Sequence, residues 1–129
     1  MNIVKATCLD VQKDAPSTFK KINSGLHPYV DRDDPSLYVF VYDSAGTVVA
    51  HPDETLVGKN FKGKPDAAGK LFRDDILTGA LEHGEGWVGY IHTKPGERLT
   101  RQKSTFYKRV TGSDGNTYIV CSGRYKEGR

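Results

Sequence analysis

Residues 37–58, LYVFVYDSAGTVVAHPDETLVG, decide how this chain folds. Successive strand residues point to opposite faces, so Tyr38, Phe40 and Tyr42 share one face and Leu37, Val39 and Val41 the other. Both faces are apolar. The strand at 37–43 is therefore expected to be central and covered on both sides. Asp43-Ser44-Ala45-Gly46 supplies a turn, and Thr47–His51 pairs back on the first strand until His51-Pro52 ends it.

Residues 2–13 carry Ile3, Val4, Ala6, Thr7, Leu9 and Val11, a pattern compatible with a short helix. Asp14-Ala15-Pro16 restarts it, because proline is tolerated in a helix's first turn. Phe19 and Ile22 share a face of the second piece, and Gly25 is its stop. Residues 1–25 thus read as an N-terminal helical segment ahead of a core at 37–125. The stretch from His27-Pro28 to Asp34-Pro35 is rich in turn residues and reads as a loop.

A helix is expected at 71–83, where Phe72, Ile76 and Ala80 line one face with Leu77 and Leu81 alongside. His83 and Gly84 are its terminators. Gly79 inside it should cost about 1 kcal/mol relative to alanine. Strands follow at 86–93, 102–111 and 117–125, the last two joined by Ser113-Asp114-Gly115-Asn116, whose Asp-Gly favours a tight hairpin. The order is helix, two strands, helix, three strands, joined mostly by hairpins. It predicts an α+β, PAS-like domain with a mostly antiparallel five-stranded sheet flanked by helices.

At 129 residues the chain is one domain, 1–129, and its net charge of +3 is mild. Lysine and arginine are scattered except at Lys20-Lys21 and Lys108-Arg109, which argues against a nucleic-acid partner. No apolar stretch approaches the roughly 20 residues of a membrane span, and Met1-Asn2-Ile3-Val4-Lys5 has no signal-peptide character. Cys8 and Cys121 form neither a zinc C-x-x-C pair nor a haem-attachment motif, so no metal or cofactor is expected. They read as small buried hydrophobes, with a bridge open to them in an extracytoplasmic setting.

Beyond the opening hairpin stand further motifs in fixed order. They are Ala50-His51-Pro52, Leu56-Val57-Gly58-Lys59, and Asp66 with Gly69-Lys70. Then come Gly84-Glu85-Gly86-Trp87-Val88-Gly89-Tyr90, Pro95, Lys103 with Tyr107, Asp114 to Val120, and Ser122 to Tyr125. Together they resemble the Cache family of small-molecule sensing domains in bacterial and archaeal receptors, in particular the single-Cache type. The resemblance spans 37–125. Two departures stand out: the N-terminal segment is shorter than the family's usual helix, and His92 stands where tryptophan is common.

No nucleophile with a base, paired carboxylates or metal-ligand spacing emerges from the chain, so no catalytic group is assigned. His27, His51, His83 and His92 are isolated from one another, and Asp31-Arg32-Asp33-Asp34 lacks the glycine and glutamate of a calcium loop. A pocket is the better reading. Tyr90 and His92 share a face of one strand, and Lys103, Thr105 and Tyr107 share a face of the next. A cation, phenols, a hydroxyl and an imidazole would then converge, which suits a short carboxylate. The resemblance implies that Tyr90 and Lys103 hold its carboxyl group. His51 either fixes the following loop or reaches the ligand. Tyr118, Ser122 and Arg124 share a face of the last strand as further pocket candidates, and Trp87 is expected in the core.

The expected function is therefore sensing or binding of a small organic acid within a signal-transduction receptor, such as a chemoreceptor or sensor kinase. Its site residues are Tyr90, His92, Lys103, Thr105, Tyr107 and His51, and its output lies outside these residues. The alternatives are a stand-alone soluble or periplasmic binding protein and, from another class, a small enzyme. The resemblance places the domain on the extracytoplasmic side of a membrane, as a receptor fragment or an exported protein. It also implies a weak homodimer along the N-terminal helix, to which Ile3, Val4, Leu9 and Val11 would contribute.

Overall fold

Because the central strand is apolar on both faces, it must bury each face against a different partner, and two cores result. The computed structural model describes residues 2–66, 68–93 and 98–125, with Thr93 described by its backbone alone. Pro95 and Ala67 lie outside the described residues. Helix α1 (Asn2–Asn23) leads into strands β1 (Val39–Asp43) and β2 (Val48–Ala50), a one-turn 3-10 helix at Glu54–Leu56, helix α2 (Phe72–His83), and strands β3 (Glu85–Thr93), β4 (Thr100–Thr111) and β5 (Thr117–Tyr125). The sheet order is β2-β1-β5-β4-β3, antiparallel throughout. This is the α+β, five-stranded arrangement expected from the hairpin connections.

α1 covers one face. Val4, Cys8, Val11, Ala15 and Ile22 pack on Val39, Val41, Phe106, Val110 and Val120. The helix breaks at Asp14, whose φ of −157° is non-helical, and resumes through Pro16, as the Asp-Ala-Pro sequence predicts. α2 covers the other face, where Phe72, Ile76, Leu77 and Ala80 meet Tyr38, Phe40, Tyr42, Tyr90 and Tyr107. Leu81, expected beside that stripe, is exposed. Among the described residues no helix is long and apolar enough to cross a membrane.

The turn residues act as their sequence suggests. The Asp43 carboxylate accepts N–H bonds from Ala45 and Thr47 at 2.9 Å each. Gly46 follows at φ +89°, with Leu77 Cδ1 only 2.8 Å from where a Cβ would stand. The Gly58-Lys59-Asn60 stretch runs along the outer edge of β2: Gly58 donates to Val48 O at 2.8 Å and Val48 donates to Lys59 O at 2.9 Å. Asp66 pins the loop before α2 to the outer edge of β3, accepting from Lys70 and Ile91 at 2.8 Å each.

Two expectations change, and for the cysteines the buried-hydrophobe reading holds over the bridge. Trp87 is 56% exposed rather than core. It sits on edge strand β3, beyond the cover of α1, with its ring centroid 5.3 Å from that of Phe106 at the rim of the core. Cys8 and Cys121 are both free and buried, in cores on opposite faces of the sheet, so they are packing residues. Of the apolar α1 positions proposed for association, Val4 and Val11 are fully buried and Ile3 partly so, which leaves Leu9 on the surface.

Tyr107 explains the glycine inside α2. A Cβ at Gly79 would lie 2.0 Å from the Tyr107 hydroxyl, and one at Gly86 on β3 would lie 2.6 Å from it. The two glycines form a slot that lets helix and sheet close over the ring. Replacing an ordinary helical glycine by alanine gains about 1 kcal/mol, whereas forcing extra volume into a packed core costs about 1–3 kcal/mol. Gly79→Ala is therefore expected to lower stability by about 1 kcal/mol net, measured by urea unfolding. A more stable variant would show that Tyr107 does not need the slot.

Candidate functional site

Sheet register builds the site. Lys103 on β4 lies directly between Tyr90 on β3 and Tyr125 on β5, and all three side chains face α2. The lysine stem crosses Gly123, where a Cβ would stand 2.6 Å from Lys103 Cε. Its ammonium ends 4.8 Å from the Tyr38 ring centroid, 5.1 Å from Phe40, 5.0 Å from Tyr125 and 5.9 Å from Tyr90. Lys103 Nζ also donates to Tyr38 Oη at 3.4 Å. Lys103 is 3% exposed, and among the described residues no carboxylate pairs with it. Burial pushes its pKa down to about 8. The ring faces supply the attraction that no acid does.

Tyr90 is fixed on two sides. Its hydroxyl and that of Thr105 share a hydrogen bond of 2.7 Å, and its ring stacks on Phe72 with centroids 3.7 Å apart. Desolvation raises its phenol well above the ordinary value. His51 follows β2. Its N–H is held by Asn23 Oδ1 and its Nδ1 accepts from Asp53 N–H, each at 2.9 Å. That bond leaves the neutral ring's proton on Nε2. His92 packs within 6.5 Å of Phe72, Tyr90 and Tyr125. Burial and then the charge of Lys103 lower both imidazoles to about 4, so both are neutral at pH 7.

These groups enclose a cavity of about 40 Å³ beneath Leu56, Phe61 and Phe72. A water-sized group needs roughly 10–15 Å³ of such space, so the cavity suits a molecule of few atoms. Tyr90, His92, Lys103 and His51 all line it. Thr105 stands behind Tyr90 and positions it. Tyr107 lies in its glycine slot and does not line the cavity.

Tyr118, Ser122 and Arg124 project from the other face of β5. Ser122 and Arg124 border a separate cavity of about 170 Å³ with Ile3, Tyr29 and Leu37, while Tyr118 bonds Asp114.

Sequence reasoning missed Arg73. Its guanidinium carbon lies 4.2 Å over the Phe72 ring and 4.7 Å over Phe61, and it reaches the Tyr42 hydroxyl. It sits one residue off the apolar stripe of α2, and only the docking of that helix turns it toward the cavity. Tyr38, Phe40 and Tyr42 were read as core. Their alternation was visible, but not that one end of that face borders a cation.

The Cache domain family model (dCache_2) matches residues 11–128. The chain belongs to the Cache family. The motifs favoured the single-Cache type, and the matching model carries the dCache_2 label, so the shared level is the family itself. No curated protein sequence matches the chain. Among solved structures, a periplasmic sensor domain of a chemotaxis protein is 22% identical, covering 98% of this chain and 87% of that one at a TM-score of 0.73. A Cache chemosensory domain solved for its carboxylic acid recognition is 20% identical, covering 98% and 90% at 0.79. A PAS domain from an HTR-like protein of Haloarcula marismortui is 12% identical, covering 88% and 96% at 0.55. The Cache domain described here is thus PAS-like in fold.

The buried lysine gives this Cache domain a specific dependence on pH. Lys103 binds its proton less tightly folded than unfolded, so between about pH 8 and 10.5 the unfolded chain holds more protons and this group's contribution to stability rises with pH. Below pH 8 the full penalty of burying the charge remains. Lys103→Met removes that penalty. The stability of this variant relative to wild type should be greatest below pH 8 and shrink by roughly 3 kcal/mol toward pH 10.5. Denaturant melts across that range would show it, and a constant difference would mean that Lys103 is not desolvated. His51 and His92 act on the acid side, where their stabilising neutrality is lost as pH falls from 6.5 toward 4.

Proposed function

We propose that this Cache domain is the sensing module of a signal-transduction receptor and binds a short organic acid at Lys103. The observation that carries the reading is a buried ammonium with no carboxylate partner among the described residues, enclosed by aromatic rings beside a small cavity. A buried charge lacking a counter-ion is costly, and a ligand carboxylate supplies one. Lys103 provides the charge. Tyr38 Oη and the imidazoles of His51 and His92 provide orienting hydrogen bonds, and Tyr90 with Phe72 forms an apolar wall. Thr105 holds Tyr90 in place. The roles require no catalytic step. The relative solved for carboxylic acid recognition and the periplasmic domain of a chemotaxis protein support the same reading, with the domain outside the cytoplasm and the output in a partner or domain beyond these residues.

A thermal screen of short organic acids tests this. At 100 times its dissociation constant a ligand stabilises the native state by about 2.7 kcal/mol, or roughly 8–13 °C for a domain of this length. Lys103→Met should weaken binding by about 1.5–3 kcal/mol, or ten- to a hundredfold. Lys13→Ala, on the exposed face of α1, should change nothing. A Lys103→Met protein that binds as tightly as wild type would sink the proposal.

Protonation gives an independent check. Above pH 8 the lysine becomes neutral and must take up a proton to pair with the acid. Affinity should therefore be level from pH 6 to 7.5 and fall toward tenfold per unit above pH 8. Titration calorimetry in two buffers of different ionisation enthalpy would register the proton taken up at pH 9. Its absence would show that the charge of Lys103 is not what binds.

A further inference from the structure

We infer that Arg73 holds a second anionic group, so that the preferred ligand is a dicarboxylate of two or three carbons. The inference rests on the proposed carboxylate site at Lys103 and goes beyond it.

Arg73 and Lys103 border one cavity. Two imidazoles and three tyrosines share its lining, and among the described residues no carboxylate pairs with either cation. A single carboxylate neutralises one positive charge and leaves the other beside it. A dianion neutralises both.

The contacts of Arg73 also leave its recognition chemistry unused. Phe72 and Phe61 engage its charge at 4.2 and 4.7 Å, yet neither ring has an oxygen to accept from its N–H groups. Tyr42 supplies one hydroxyl. A guanidinium has five donors in a planar fork that matches a carboxylate. The flanking rings hold the head in place at the cavity rim, while Lys103 sits in the buried interior. The positions fit a molecule with one carboxylate inward and one at the rim. The volume of about 40 Å³ keeps it short.

Malonate, its monomethyl ester and acetate separate the ideas, because the ester keeps the length of malonate with one charge removed. In wild type, calorimetry should show malonate binding at least tenfold tighter than either. In Arg73→Gln malonate should fall to the level of the ester, while acetate stays within about twofold of wild type. Arg73→Lys, which keeps the charge and loses the fork, should retain part of the preference. Equal binding of malonate and its ester by wild type would overturn the inference and leave the Lys103 site standing. So would an Arg73→Gln protein that loses acetate and malonate alike, since Arg73 would then act only by holding Phe61 and Phe72. If wild type binds none of the three, both this inference and the carboxylate site at Lys103 fail.

Discussion

A lysine ammonium with its water removed is the constraint around which this domain is arranged. Stripping a cation of water is opposed by several kcal/mol unless something replaces the solvent. Here four aromatic rings and one phenolic oxygen do so, contributed by Tyr38 just before β1 and by β1, β3 and β5. No two neighbouring residues could build that enclosure. It requires the sheet to bring Tyr90, Lys103 and Tyr125 into one row, and β1 to reach the same face with Tyr38 and Phe40. Small residues then make room: Gly123 under the lysine stem, and Gly79 and Gly86 around Tyr107, so that α2 can approach closely enough to close the box.

The loop between β2 and α2 is held by side chains that hydrogen-bond the backbone. Asp53 caps the one-turn helix, Asn60 bonds Ala45 O and Lys62 N, and Asp66 ties the far end to β3. These bonds fix backbone groups that no strand or long helix pairs, and polar residues at these points allow an irregular segment to lie over an apolar site. Leu56 and Phe61 can therefore face the cavity although they belong to no strand or long helix. The spacing of His51, Leu56, Gly58, Asn60 and Asp66 is thus largely a set of positions that fold this cover, with His51 and Leu56 among them also lining the cavity.

That division explains what the sequence could disclose. Alternation in 37–43 and the Asp114-Gly115 turn are local, and both appear where period and turn chemistry place them. The break at Asp14 was equally legible, because a proline in the middle of a helical pattern is tolerated only where a new first turn begins. Tyr90, His92 and Lys103 could be grouped because strand neighbours two apart share a face. Tyr107 obeys the same parity but lies two pairs further along β4, under α2 rather than under the cavity. Parity chooses a face and is silent about position along it. Arg73 and Trp87 failed for the complementary reason. Their surroundings are set by where the helices dock: α2 carries Arg73 to the cavity on one face of the sheet, and α1 on the other face stops short of Trp87.

The same row of residues links the cavity to the end of the sheet. Tyr38 receives a hydrogen bond from Lys103 and is hydrogen-bonded to Tyr125, the last described residue of β5. An anion bound at Lys103 competes for the ammonium that now faces these two phenols, so it must alter the charge felt by β1 and β5 together. A ligand can shift a conformational equilibrium only by the difference in its interaction with the two states. On the proposed reading that difference would originate at a cation whose existing partners are π faces and one phenol. Replacing such partners with a carboxylate is a large change in a small volume. Because the rings are packed rather than loose, a carboxylate bound as proposed would press on the strands that carry them instead of being absorbed by one side chain.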